Sequence, residues 1–437
     1  MITAPQDAFA AYKAATVLSF DSFLDEALRA FGVDESSLKL AWHKPSPGDA
    51  CYRDPNPVNP KQKSFIHWIR DTYRQALLPG EEMNHMVAHF HSYVESNLQW
   101  ERVSSFARSP GETKGPIRLS LKDFTTTIML EAITDSLFGD QLVKVEPNII
   151  KYAAEFSDEV WMLVYRLPKY FAGRVLDKRM KIMNALEKYR QIPQEERTAG
   201  GEAWPVEMVL KAQDILGMSS ESNNAFVTVI HWAANGNTCM LCFWLLSYLL
   251  RDPSLLARIR REIAPAFQTG TLDLAYLVSS CPLLESIFFE TLRVSTGAIS
   301  SRRVTSPITI GGKRLKPGRE VLIKHRALHL NEQVWGDSAG CFDPERFVKN
   351  GALTGHSSYR PFGGGSTYCP GRVIARQEVC IFVALALERM EMVLVPGQAF
   401  PLLDNTRPWI GVTGPMPGMD LYVDVSERRR SVGGGEN

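Results

Sequence analysis

The stretch Phe362-Gly-Gly-Gly365-Ser-Thr-Tyr-Cys369-Pro-Gly371-Arg372 sets one cysteine in a turn of glycine and proline. The apolar run from Val373 to Leu387 behind it has the spacing of a buried helix. Loop, cysteine and helix start therefore coincide. A helix N-terminus presents free N–H groups and the positive end of the dipole, which favour thiolate over thiol at Cys369. A soft thiolate is a good ligand for iron. Gly363, Gly364, Gly365 and Gly371 remove Cβ atoms, so a flat macrocycle has room against the loop, and Phe362 is placed to pack beside the sulfur. The plainer reading of the same residues is a tight turn ending in a core cysteine.

Composition narrows the classes. The chain has 437 residues, 45% hydrophobic and 22% charged, with a formal net charge of +1. That is ample material for a core, and it gives nucleic-acid binding no support from charge. Seven cysteines in this length do not form a disulfide framework, and the odd count leaves at least one unpaired, which fits a reducing compartment. The first residues, Met1-Ile-Thr-Ala-Pro-Gln-Asp-Ala, carry neither a basic n-region with an apolar h-region nor a spanning helix. From Ser222 to Leu250 there is no Asp, Glu, Lys or Arg, but His231, Asn235, Asn237 and Thr238 near its middle favour a core helix over a membrane span.

Along the chain, Asp7 to Phe31 reads as helical with Gly32 as its stop, and the proline-rich stretch from Trp42 to Pro60 as loop or extended chain. A helix resumes near Ser64 and holds His67, Trp68, Arg70 and Arg74, whose plain reading is a solvated basic face. His85 and His89 are a helical turn apart, yet no Glu follows His85 as in H-E-x-x-H, so zinc is not expected. Cys239-Met-Leu-Cys242 has no second pair nearby and reads as core packing. A polar loop is expected between Ser104 and Arg118, and short strands at Ile308–Ile310 and Val321–Ile323 around the Gly311-Gly312 turn. The fold class is mainly α with a small β component. One domain is expected over 1–425, with a disordered tail over 426–437.

The spacing Phe362-x-x-Gly365-x-x-x-Cys369-x-Gly371 resembles the haem-thiolate loop of the cytochrome P450 monooxygenases, with Cys369 at the axial iron ligand. Two upstream features match the family in order: Glu290-Thr-Leu-Arg293, and Phe342-Asp-Pro-Glu-Arg346-Phe347. The resemblance implies a buried charge network of Glu290, Arg293 and Arg346, a haem propionate on Arg303, and Phe362 against the haem. Thr367 departs from the family's basic residue two positions before the cysteine. Ala233-Ala-Asn-Gly-Asn237-Thr238 is similar to the family's distal pattern, with Thr238 at the oxygen-binding hydroxyl and Asn237 replacing the acid. The run from Asn237 to Trp244 looks like the branch containing prostacyclin synthase and the bile-acid sterol hydroxylases. An amide exchanges no proton but can hold a water that does, so Asn237 is named with Thr238 as a catalytic candidate. Thr296 to Ser301 and Trp409 to Gly414 fall where the family's substrate loops lie.

What this implies is a haem b monooxygenase that uses O2 and electrons from NADPH, through a flavoprotein reductase, to oxidise a lipophilic small molecule such as a sterol, lipid or secondary metabolite. Two alternatives stand beside it: a haem-thiolate isomerase or dehydratase acting on a peroxide without external electrons, and a non-catalytic haem binder. The chain begins late for the family, so the expected fold lacks the membrane anchor and the early strands. Endoplasmic reticulum membrane is the implied location if an anchor precedes this sequence, and the cytoplasm otherwise.

Overall fold

In the computed structural model, described over residues 1–46, 59, 61–107, 115–168 and 170–428, a helical body carries three small sheets. Its axis is the charge-free segment, a helix over Ser220–Arg251. That helix is apolar on nearly every side, so only burial on all sides suits it. The helices Leu121–Phe138, Gly173–Arg190, Pro282–Ser295 and Arg372–Arg389 supply that burial. Trp244 is wholly enclosed, its indole donating to the Thr413 carbonyl at 2.6 Å. No single helix among the described residues is long and apolar enough to cross a membrane.

Local chemistry sets the helix ends. Ser219 caps the central helix through the Ser222 amide. Asp34 caps Glu35–Trp42 and also accepts from the hydroxyls of Ser219, at 2.5 Å, and Ser222, at 2.6 Å. One carboxylate thus joins two helix starts, and these hydrogen bonds hold it well below the usual carboxylate range.

The strands are β1 (Leu18–Ser19), β2 (Ile117–Ser120), β3 (Ile299–Val304), β4 (Ile308–Ile310), β5 (Lys313–Leu315), β6 (Glu320–Lys324), β7 (Met390–Leu394) and β8 (Tyr422–Glu427). They form antiparallel sheets in the orders β1-β3-β6, β2-β8-β7 and β4-β5.

Several expectations change. The helix read over Asp7 to Phe31 is two helices, Pro5–Lys13 and Asp21–Phe31, because Leu18 and Ser19 leave helical geometry to pair with Val304 and Arg303. Gly32 ends the second at φ +109°, as the sequence suggests. Near the N-terminus the short strand β1 joins the sheet edge at β3, and Ile2 bridges Ile323. The loop expected up to Arg118 is already strand from Ile117, and β8 carries the fold to Glu427, past the 425 boundary. The rest of the expected tail, 429–437, and most of the proline-rich stretch, 47–58 and Pro60, lie outside the described residues.

Candidate functional site

The cysteine loop leads into the helix Arg372–Arg389 as the spacing requires. Its two ends are tied by the Cys369 amide, which donates to the Phe362 carbonyl at 3.1 Å, and Phe362 packs on the main core. The expectation that the helix start ionises Cys369 is corrected. Burial pushes its thiol up, and the opposing Gly371 N–H and Arg372 charge do not outweigh it. A metal ion held at this sulfur would favour its thiolate form.

The glycines also have another use than expected. Gly365 has φ +66°, and a Cβ there would stand 2.7 Å from the Tyr12 carbonyl oxygen. At Gly364 a Cβ would stand 3.2 Å from the Tyr12 ring. These two positions admit the N-terminal helix to the underside of the loop.

The charge network is as the sequence suggests. Arg293 grips Glu290 with two parallel bonds, Nε to Oε2 at 2.7 Å and Nη2 to Oε1 at 2.6 Å, and Arg346 Nε donates to the same carboxylate at 3.2 Å. Arg293 also donates to the carbonyls of His329, Ala339 and Cys341, and Arg346 to that of Trp335. The Asp343 amide completes the set on Glu290 at 2.9 Å. Burying these charges is tolerable because each is paired; removing one costs about 3–5 kcal/mol. The network pins the chain over 329–346 against the Pro282–Ser295 helix, ahead of the cysteine loop.

Arg303 is a correction. Its guanidinium turns to Glu26 at 3.0 Å and Glu320 at 3.1 Å, where a carboxylate ligand would meet competing carboxylates. Arg302, on the other face of β3, is 5% exposed, and no carboxylate among the described residues pairs with it. It donates to the Ser301 carbonyl at 2.7 Å and to the Thr367 hydroxyl. A buried guanidinium beside the cysteine loop, unmatched by any described anion, suits a propionate far better than Arg303 does. Strand alternation puts Arg302 on the same buried face as Val304, with Arg303 on the other. Arg74, on the helix where the family resemblance implies basic residues that meet a propionate, reaches the Ser366 carbonyl with its Nη2 at 2.6 Å.

The distal residues lie in the middle of the central helix, where an otherwise buried surface opens: Ala233 and Asn237 are exposed, and Gly236 is half-buried. Thr238 beside them is 5% exposed, and its hydroxyl oxygen is buried with no partner. Asn235 Oδ1 is also unpartnered. An orphaned hydroxyl costs free energy unless a ligand satisfies it. The placement fits a distal role for Thr238, and with Cys369, Phe362 and Arg302 it makes a residue set that fits haem.

Asn237 does something else. Its Oδ1 accepts from the Val412 amide at 2.9 Å, and any Cβ at Gly411 would run into the carboxamide. The side chain anchors a loop through its Oδ1. The same loop is zipped to the other expected substrate segment: Gly297 N donates to Gly411 O at 2.9 Å, and Thr413 N to Ser295 O at 2.8 Å. Both expected substrate loops thus meet each other and the helix.

The remaining candidates are accounted for locally. His89 pairs with Asp135 at 3.3 Å, and no group of three metal-ligating side chains occurs among the described residues. Cys239 and Cys242 are free and buried, the first bonded to the Asn235 carbonyl at 3.2 Å.

Comparison with known proteins agrees with this geometry. The family model described as Cytochrome P450 matches residues 66–420. The chain is 27% identical over 412 residues to cytochrome P450 monooxygenase calL of Penicillium decumbens, covering 86% of this chain and 75% of that protein. It is 27% identical to cytochrome P450 monooxygenase nodJ of Hypoxylon pulicicidum, over 68% of this chain and 61% of that protein. With cytochrome P450 7A1 of Rattus norvegicus it shares 25% identity, over 75% of this chain and 71% of the relative.

Proposed function

The chain belongs to the cytochrome P450 family, and from that premise we propose that it is a haem-thiolate monooxygenase oxidising a lipophilic small molecule with O2. The observation that carries the reading is the pairing of Cys369, in its loop, with the unpartnered hydroxyl of Thr238 on the opened face of the central helix. When bound, haem with a thiolate ligand supplies the chemistry that activates dioxygen. The protein's residues do the rest. Cys369 holds the iron, Arg302 holds a propionate, and Phe362 keeps water from the sulfur. Thr238 holds a proton at its Oγ1, and the loop anchored by Asn237 walls the substrate.

Relatives named as fungal monooxygenases and as cytochrome P450 7A1, together with one named cholesterol 7-alpha-monooxygenase from Cricetulus griseus, support a sterol, lipid or secondary metabolite as substrate. Electrons come from NADPH through a flavoprotein reductase. Tyr170, 90% exposed, and Phe171, 66% exposed, give one loop an apolar tip suited to the endoplasmic reticulum membrane surface. Residues 1–427 make one haem domain.

The test is the reduced carbon monoxide spectrum of purified protein, followed by reductase- and NADPH-dependent oxidation of a sterol and fatty-acid panel. A thiolate-type band with NADPH-dependent product is expected; a protein that takes up no haem would sink the reading. Asn237 favours one other reading, an isomerase, since its carboxamide replaces the acid and its oxygen is committed to Val412. Turnover of a lipid hydroperoxide without NADPH or reductase would select that alternative.

A further inference from the structure

Tyr12 stands outside residues 66–420, the part matched by the family model, yet it touches β3, the residue after β6 and the cysteine loop. It is 7% exposed. Its ring lies under Gly364 and its carbonyl under Gly365, so closely that neither position accepts a Cβ without a shift. Its hydroxyl donates to Ser300 Oγ at 3.0 Å and stands 2.9 Å from His325 Nε2, and Ser300 Oγ is itself 2.9 Å from that nitrogen. Ser300 is on β3 and His325 directly follows β6, so this closed triangle nails the phenol to the sheet. The guanidinium carbons of Arg302 and Arg360 stand 5.6 and 5.9 Å from the Tyr12 ring centroid. Arg302 is also 5.1 Å from the Phe20 ring.

We propose that Tyr12 is a positioning residue for the cysteine loop, propping Gly364 and Gly365 and aiming the Arg302 guanidinium at Thr367. This rests on the reading of Cys369 as a haem ligand. The reasoning starts from the cost of Arg302. A guanidinium buried without a described carboxylate partner needs some other electron-rich neighbour, and the faces of Tyr12 and Phe20 are what the fold provides. Thr367, two residues before Cys369, has no charge of its own, and the guanidinium that hydrogen-bonds its hydroxyl is the one that Tyr12 steers there. A glycine-rich loop also has little internal stiffness. Its shape comes from what it rests on, and here it rests on one aromatic ring pinned at its far end. Without that support the loop relaxes and the sulfur leaves its register with the iron.

The test uses the full haem-loaded chain, reduced under carbon monoxide, with far-UV circular dichroism beside it. The wild type reports on the haem-thiolate reading: no thiolate-type band there would defeat that reading, separately from the role of Tyr12. Tyr12→Phe keeps the ring and is expected to keep the band. Tyr12→Ala leaves a void beneath the loop and is expected to lose about half of the thiolate-type band or more with helicity intact. Tyr12→Leu keeps bulk without the aromatic face and is expected to lose the band about fivefold faster than wild type on warming. An unchanged band in Tyr12→Ala, or a Tyr12→Phe band that falls as far, overturns the proposal. If Tyr12→Ala does not fold, Tyr12→Leu decides: faster loss supports the proposal and wild-type behaviour overturns it.

Discussion

On the proximal side, the Glu290 carboxylate takes hydrogen bonds from Arg293, Arg346 and the Asp343 amide, and Arg293 spends its remaining donors on three main-chain carbonyls. Across the site, Thr238 and Asn235 each keep a buried oxygen with no partner. The first arrangement is closed and stiff, because every charged group in it finds its hydrogen bonds within the chain itself. The second is open, with two buried oxygens that the chain does not satisfy. On the function proposed above, one side of the site would hold an iron ligand in place, and the other would respond to what binds. The two differ as well in where their partners come from, since the distal helix borrows its loop anchor, Val412, from far along the chain.

The largest effect should come from the closed side. Replacing Cys369 by Ser removes the soft ligand, and the thiolate-type band of the reduced carbon monoxide complex should vanish; an unchanged spectrum refutes the assignment. Next, Glu290→Gln strips the charge that two buried guanidinium groups share. A loss of about 3–5 kcal/mol in denaturant unfolding is expected, with haem uptake falling in step. Urea curves that overlay wild type would show that the network is not the rigid element described above.

On the open side, effects should appear in ligand binding and coupling with the fold intact. Thr238→Val keeps shape and burial but removes the hydroxyl, so the thiolate-type band should persist while product per NADPH falls about tenfold or more. Unaltered coupling would mean that the orphaned oxygen has no part in proton handling. Asn237→Ala leaves the Val412 amide unpaired, costing about 1–3 kcal/mol locally. It should weaken 4-phenylimidazole, which reaches the pocket wall, more than imidazole, which does not. Equal weakening of both would place Asn237 away from the wall.

The smallest effect compares the two sides under acid. His231, bonded to Thr134 on the distal helix, and His325, bonded to Tyr12 and Ser300, are both held down to about 4 by burial. A depressed histidine pKa means that the unfolded chain binds the proton first. Stability is then full above the ordinary value near 6.5 and drains away as pH falls toward 4. His231→Gln and His325→Gln should each flatten that slope in chemical denaturation, and a slope equal to wild type in either would place its imidazole in contact with solvent.

Much of the proximal side was legible because its signals are local. Glu290 and Arg293 are one helical turn apart, and Cys369 sits at a fixed step from Gly365 and Gly371, so backbone geometry nearly dictates their arrangement once the elements form. The charge-free run over Ser222 to Leu250 announced a core helix for the same reason. Misreadings arose where two neighbours had equal claims or where a partner was remote. Arg302 and Arg303 are both arginines on one short strand, and the choice turned on which face the N-terminal helix and cysteine loop came to cover. The contact of Asn237 was hidden as well, because nothing beside it in the chain reveals the Val412 amide that it meets.

By itself, then, the sequence determined the helical class, the cysteine loop with its helix, and the charged residues that brace it, since each follows from spacing within one segment. Only the tertiary structure decided which arginine faces the site, what Asn237 holds, and why Gly364 and Gly365 must lack a Cβ. Those answers depend on surfaces brought together from distant segments, and packing of that kind leaves no periodic trace in the residues that take part.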